Sequence, residues 1–299
     1  VAELFFEADD LLDPKTVRQE VKEARMSPGV VVVIGVGGMG QSIARRQGAG
    51  RKVVLADFDE DLLSTAAEAL RGEGYDVAPH HVDVSSRTSV TALAEAAASL
   101  GPVAEIVHTA GLSPVQAPPA AILAVDLVGV ALVLEVFGGV VAPGGAGVVI
   151  ASMAGHGLAP LDPEQERALA LTPADELLDL AFLDRYPGPG SYGLAKRGNQ
   201  LRVQAASAEW GDRGARINSL SPGIISTPMG QQELAGESGA GMRAMIDASA
   251  VKRLGTPADI ADAVAFLLGP AASFISGTDL LVDGGVIAAA RSGRVNPTR

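Results

Sequence analysis

From residue 29 onward, short runs of β-branched residues alternate with longer segments whose apolar positions recur every three or four residues. Residues 30–34, 52–57, 77–81, 104–108, 147–151, 216–220 and 279–282 read as seven strands. Helical periodicity fills the intervals, as at 41–47, 61–71, 89–100, 120–141 and 191–211. Strands that follow one another through helices pair in parallel, and right-handed crossovers place helices on both faces of the sheet. The pattern predicts a single α/β domain over 28–299: a Rossmann-like, doubly wound, seven-stranded parallel sheet.

Two stretches depart from the rhythm. Residues 1–27 form an acidic lead followed by a charged helical segment, with Asp13 as N-cap, Pro14 in the first turn, and Val17, Val21 and Ala24 on one face. They read as an N-terminal extension. Between the fifth strand and the helix at 191 lie 39 residues, 152–190, with two short helices expected inside them. A connection that long in a compact domain is usually a binding loop or a lid.

Composition narrows the class. The chain has 299 residues, 47% hydrophobic, with 36 glycines and 4% aromatics, which suits a compact α/β core and argues against disorder. A formal net charge of −12 disfavours nucleic acid and anionic membrane surfaces as partners. No cysteine is present, so disulfides and thiolate metal sites are excluded and a reducing, cytoplasmic setting is expected. The apolar stretch 127–141, broken by Glu135, is expected to be a buried helix too short to span a bilayer. The four histidines show no metal-ligand spacing, and no metal is expected.

The first strand runs into Gly35-Val36-Gly37-Gly38-Met39-Gly40, a GxGxxG turn that opens a helix. Glycine at the first position allows a tight turn, at the second a close backbone approach to a pyrophosphate, and at the third close helix packing. Such turns also close strand–helix units that bind nothing. Here the second strand ends at Asp57, 22 residues after Gly35, where an acid accepts hydrogen bonds from ribose hydroxyls and repels a 2′-phosphate. NAD(H) is therefore expected in preference to NADP(H). Farther on, Tyr192 and Lys196 stand four apart on one helix face.

Taken in order, these motifs resemble those of the short-chain dehydrogenase/reductase family, over about residues 29–287. Asp83-Val84 after the third strand resembles the family's adenine-side element. His108-Thr109-Ala110-Gly111 resembles its Asn-Asn-Ala-Gly element. Ser152 matches the catalytic serine, and Tyr192-Gly193-Leu194-Ala195-Lys196 matches the Tyr-x-x-x-Lys motif. Pro222-Gly223-Ile224-Ile225-Ser226-Thr227 resembles the segment that closes over the nicotinamide. The resemblance implies Ser152, Tyr192 and Lys196 as the catalytic set. It implies cofactor contacts from Gly35, Gly37, Met39 and Gly40, from Asp57 and the adjacent Phe58, and from Asp83, Val84, Ala110 and Gly111. It adds Tyr192, Lys196, Pro222, Gly223, Ile225 and Thr227. A hydride would move between NAD(H) and a ketone or secondary alcohol, with Tyr192 as general acid and base and Lys196 supporting its phenolate. A lid over 229–251 and a homodimer or homotetramer are further expectations.

Three features depart from the family pattern. The glycine loop is one residue shorter than in many members. Asp126 stands where an asparagine commonly holds a water in the proton relay, so it is a candidate catalytic residue. The segment 153–190 is longer than usual, like that of a steroid- and carbonyl-reducing bacterial branch, and is expected either to shape the substrate pocket or to obstruct a helix-pairing interface. A nucleotide-sensing protein with little turnover is the competing reading. His156, four residues after Ser152, suggests a hydrolase pair, but no Gly-x-Ser-x-Gly elbow surrounds the serine.

Overall fold

A computed structural model describes residues 29–295, so the expected N-terminal extension and its Asp13-capped helix lie outside the described residues. Seven parallel strands are present: β1 (Val30–Ile34), β2 (Lys52–Asp57), β3 (Asp76–His81), β4 (Val103–His108), β5 (Val141–Ile150), β6 (Arg216–Pro222) and β7 (Asp279–Val282). Their order is β3-β2-β1-β4-β5-β6-β7. The order reverses between β1 and β4, and at such a switch point a crevice opens beyond the strand C-termini.

Strand β1 shows why both faces need covering. Val30, Val32 and Ile34 enter one apolar layer, Val31 and Val33 the other. The second layer is closed by α1 (Gly38–Gln47), α2 (Glu60–Gly72) and α10 (Pro257–Leu268). Helix α2 begins where the Asp59 side chain caps Leu62 N–H, and it buries Leu63, Ala66, Ala67 and Leu70 at the spacing of one helical face. Helix α10 opens with a Thr256–Asp259 capping box.

The first layer is closed by α3 (Arg87–Ser99), the helical run α4 (Pro119–Gly138) and α7 (Pro189–Asp212). The 20-residue α4 is longer than the expected apolar core of 127–141 and has the length and apolarity to cross a bilayer, yet 67% of that stretch is buried inside the fold. Phe137, Leu132 and Leu127 on it are fully buried, and each such side chain stabilises the fold by about 1.5–3 kcal/mol. The largest boundary difference from the sequence expectation lies between this helix and β5. The helix expected over 120–141 stops at Gly138, and β5 begins at Val141, which pairs with Val103. The chain then bulges through Pro143, Gly144 and Gly145 before Ala146 rejoins β4 at Glu105, and Gly144 takes a φ of +80° in that bulge. These turn residues masked the strand's early start. Within α4, residues Leu123–Val128 form a π-turn that carries Asp126.

The segment after β5 contains α5 (Met153–Gly157), α6 (Pro163–Leu171) and 3₁₀ turns at Ala174–Asp179 and Ala181–Arg185. The part from 163 to 179 is an outer flap packed on α4 and α7. Leu169, Ala174 and Leu177 are buried in the first layer. Arg202 of α7, only 6% exposed, donates to the Leu169 and Thr172 carbonyls at 3.1 and 2.7 Å and lies 3.3 Å from Glu135. Glu135 accepts from Ala174 N–H and from Arg87, which also holds Asp175. The apolar positions and charges of these residues are engaged in packing against α4 and α7. The stretches nearest the catalytic positions along the chain are 153–161 and 186–190.

Arg202→Ala should leave Glu135 and two carbonyls without their buried donor and destabilise the protein by about 3 kcal/mol. Chemical unfolding checks this, and an unchanged midpoint would show that the flap is not held by this side chain.

Candidate active site

The turn after β1 is built on three different demands. Gly35 has a φ of +93°, and a Cβ on it would stand 2.4 Å from Ala110 N. Gly40 lies against the same turn: its Cβ would be 1.9 Å from the Gly35 carbonyl oxygen. Gly37, the N-cap of α1, has no atom within 4 Å of where a Cβ would point. The middle glycine thus keeps open space beside the positive end of a helix, as a phosphate cradle requires. Thr109 Oγ1 donates to the Gly35 carbonyl at 2.7 Å, and Gly35 N–H donates to Ala56. Thr109 is a structural member of the turn that its motif did not single out. Met39 turns its side chain toward the second apolar layer, so only its backbone remains for the crevice.

Asp57 closes the outer side of the turn. Its Oδ2 accepts from Val36 N–H at 2.7 Å and its Oδ1 from Asp59 N–H at 3.0 Å. The carboxylate is fixed by backbone donors at the C-terminal end of β2. Phe58 is 68% exposed, tilted against His81 across 5.6 Å. Asp83 Oδ1 accepts from Ser85 N–H and Oγ, while Val84 is buried against Gly129, where a Cβ would meet Val84 Cγ2 at 2.9 Å. On the far side, Gly223 lies so close to Asp283 that its Cβ would sit 2.6 Å from the Asp283 Cα. Ile225 is buried and bridges to Gly255. Thr227 caps α8 (Pro228–Ala235), and its Cγ2 would be 3.3 Å from a Cβ on Gly38, so the segment after β6 reaches the glycine turn. The expected lid over 229–251 consists of α8 and α9 (Gly239–Ala248).

Ser152 ends β5 and caps α5, its Oγ accepting from Ala154 N–H at 3.1 Å. His156 makes no pair with Ser152: its Nε2 is 2.7 Å from Asp279 Oδ2, and Asp279 Oδ1 also accepts from Ser219 and Ser221. That network pins α5 to β6 and β7 and removes any basis for a Ser–His hydrolase. Tyr192 and Lys196 lie one turn apart near the start of α7, with Lys196 Nζ 5.4 Å from the Tyr192 ring centroid. Ser152 faces the same phenol and favours its ionised form.

Lys196 is buried and ion-paired. Its Nζ is 3.0 Å from Asp126 Oδ2 and 3.4 Å from the Ile150 carbonyl. Asp126 is fully buried in the π-turn, and its Oδ1 accepts from Leu112 N–H at 2.7 Å. Burial pushes its carboxyl above the usual carboxylate range, while the Lys196 charge and Leu112 N–H favour the ionised form. Burial works against the Lys196 charge, but Asp126 and Tyr192 together offset it and hold the ammonium above the usual lysine range. Burial pushes the Tyr192 phenol above its ordinary range; Lys196 pulls it down, and Asp126 opposes Lys196. The structure therefore assembles Ser152, Tyr192, Lys196 and Asp126 at one end of the sheet, beside Gly111 and the glycine turn.

Two further residues belong to this neighbourhood. His108, at the end of β4, is buried with neither ring nitrogen partnered, and burial together with the Lys196 charge lowers its pKa to about 3. Its signal in the sequence was an imidazole directly after the aliphatic pair Ile106-Val107 at the end of a strand. Glu233 of α8 is pushed up by burial, with Ser113 beside it acting in the opposite sense, and its charge reaches Tyr192. No spacing motif marks it, because it arrives from a helix 41 positions after Tyr192.

A family model described as enoyl-(acyl carrier protein) reductase matches residues 35–162 and 180–287, with a break inside the flap. A short-chain dehydrogenase/reductase, bsc3, from Alternaria brassicicola is 42% identical over 88% of this chain and 97% of its own. Galactitol 2-dehydrogenase (L-tagatose-forming) from Cereibacter sphaeroides is 29% identical over 87% of this chain and 96% of its own. The solved structure of 7α-hydroxysteroid dehydrogenase complexed with NADH and 7-oxo glycochenodeoxycholic acid superposes with a TM-score of 0.70 at 24% identity, covering 87% of this chain and 94% of that one. Its likeness shows the fold. With sheet order, glycine turn and Tyr–Lys helix in agreement with these matches, the chain belongs to the short-chain dehydrogenase/reductase family of oxidoreductases.

Proposed function

We propose that the protein is an NAD(H)-dependent enzyme that interconverts a ketone and a secondary alcohol, with Tyr192 carrying the proton. The observation that carries this reading is the convergence of Ser152, Tyr192 and buried Lys196 at the C-terminal edge of the sheet, beside an open glycine turn. The names of the relatives, dehydrogenases and reductases of alcohols and ketones, support the same class.

The residues present fit a dinucleotide. Gly37 leaves room for a pyrophosphate at the α1 N-terminus, and Asp57 stands fixed at the end of β2. When bound, the nicotinamide donates or receives the hydride. The chain's own side chains handle the rest. Ser152 Oγ, aimed from a helix cap, orients the substrate oxygen; Tyr192 Oη gives that oxygen a proton or takes one from it; Lys196 limits the cost of the phenolate. The crevice floor, held by Gly111, Asp126 and the Ile150 carbonyl, keeps Lys196 from turning to solvent. The preference for NAD(H) rests on charge: a carboxylate held by two backbone N–H groups cannot swing away from a 2′-phosphate.

Three tests follow. Tyr192→Phe should lose about 10²–10⁴-fold in turnover in a carbonyl screen while still binding NADH; retained turnover would falsify the role given to Tyr192, and no turnover in the wild type would favour a nucleotide sensor. In fluorescence titrations the wild type should bind NADH more tightly than NADPH. Asp57→Asn, which keeps an acceptor for Val36 N–H, should narrow that gap about tenfold or more, and equal preference in the wild type would end the NAD(H) assignment. Finally, Gly37→Ala should unfold at the wild-type midpoint yet bind NADH weakly, whereas Gly40→Ala should lower the midpoint. The reverse pattern would remove the phosphate cradle from the α1 N-terminus.

A further inference from the structure

The ammonium that supports Tyr192 does not stand alone. Asp126 meets it at 3.0 Å from inside the π-turn of α4, and Gly111 seals the pair, since a Cβ there would lie 2.9 Å from Asp126 Oδ2 and 3.2 Å from Lys196 Nζ. A sealed carboxylate that close cancels much of the field the ammonium exerts on a phenol several ångströms farther off, because opposite charges seen from a distance act as a dipole. The other groups facing Tyr192 do not restore a positive field. His108 from β4 is neutral, Ser152 from the end of β5 offers an uncharged hydroxyl, and Glu233 from α8 adds negative charge.

We propose that Asp126 is a positioning residue that acts through Lys196 to keep Tyr192 protonated at neutral pH, so that the site is set for carbonyl reduction and oxidises alcohols only as the pH rises. The inference rests on the function proposed above. In reduction, NADH delivers its hydride to the carbonyl carbon, the C=O π pair moves to oxygen, and that oxygen takes the proton as the Tyr192 O–H bond breaks. Oxidation runs the same steps backward and needs Tyr192 ionised first. Asp126 raises the cost of that ionisation by offsetting Lys196, so removing its charge must make the phenolate easier to form.

The experiment is an ultraviolet titration of tyrosinate in wild-type protein and in Tyr192→Phe, whose difference isolates Tyr192, repeated on an Asp126→Asn background. Asparagine has the same shape and keeps an acceptor for Leu112 N–H, while the atom facing Lys196 changes from a charged oxygen to an uncharged NH2, so a purely structural role for Asp126 changes stability and leaves the midpoint in place. The wild-type midpoint should lie at or above the ~10 of free tyrosine. In Asp126→Asn it should fall by about one pH unit or more, with the alkaline rise of alcohol oxidation moving down alongside it. An unchanged or higher midpoint in Asp126→Asn overturns the proposal. A wild-type midpoint below that of free tyrosine overturns it too, and this measurement stands even where the Asp126 variant does not fold. The titration needs neither substrate nor cofactor. Turnover retained by Tyr192→Phe therefore counts against the proposed function, whereas an unmoved midpoint counts against the role of Asp126.

Discussion

A Cβ on Gly40 would stand 1.9 Å from the carbonyl oxygen of Gly35, so α1 leaves β1 at a distance that only two glycines permit. That approach determines what surrounds it. Because α1 starts so close to the strand end, its free amides face the crevice between β1 and β4 instead of the second apolar layer. Ala110 can pack over Gly35 with its N–H donated to Ile34, which brings Gly111 over the Asp126–Lys196 pair. One steric limit at the first turn thus sets both the dinucleotide side of the crevice and the roof of the buried ion pair.

The ion pair imposes the opposite kind of constraint. An ammonium and a carboxylate this deep each lose hydration worth several kcal/mol, recovered only when the geometry between them is good and their remaining polar atoms are met. Lys196 has Asp126 at ion-pair distance and the Ile150 carbonyl; Asp126 Oδ1 has Leu112 N–H, while Oδ2 has the ion pair with Lys196 and no hydrogen bond among the described residues. The π-turn in α4 is the local deformation that carries the carboxylate in the run of buried residues Asp126, Leu127 and Val128. Helix regularity is given up for one turn where the charge demands it, and is resumed at once through Gly129, whose lack of a side chain leaves room for Val84.

What could be read in the sequence, and what could not, follows from the range of the interactions involved. Strands such as β1 and β2 are visible because burial on both faces demands an unbroken apolar run, and the glycine turn because each of its positions excludes larger residues for a local reason. Tyr192 and Lys196 share a helix, so their spacing alone places them together. The start of β5 was hidden behind Pro143, Gly144 and Gly145, which spell a turn but here form a bulge that pairing with β4 tolerates. Glu233 and the partnership of His156 with Asp279 were hidden for a different reason: both join residues distant in sequence, and no periodicity records which helix end will face which strand. Asp126 lay between these cases. Its position was legible as a substitution in a motif, but the burial that gives it consequence arises only from packing.

The flap over 163–179 ties these parts together. A helix with Tyr192 and Lys196 on one side would ordinarily be amphipathic, with a solvated back. Helix α7 instead buries Gly198, Leu201 and Arg202 as well as Lys196, because α6 and the 3₁₀ turns cover the back and Arg202 satisfies their exposed carbonyls. Covering it removes the freedom a surface helix has to tilt or fray, and the proposed general acid depends on that rigidity, since its oxygen must stay within about half an ångström of its productive position. Gly198 shows the closeness of the packing: a Cβ there would meet Leu127 Cδ1 at 2.5 Å, one residue after Asp126. The same contact that seats α7 against α4 therefore also fixes the distance between Lys196 and Asp126, so the flap, the helix and the charge pair form one mechanical unit whose working end is Tyr192.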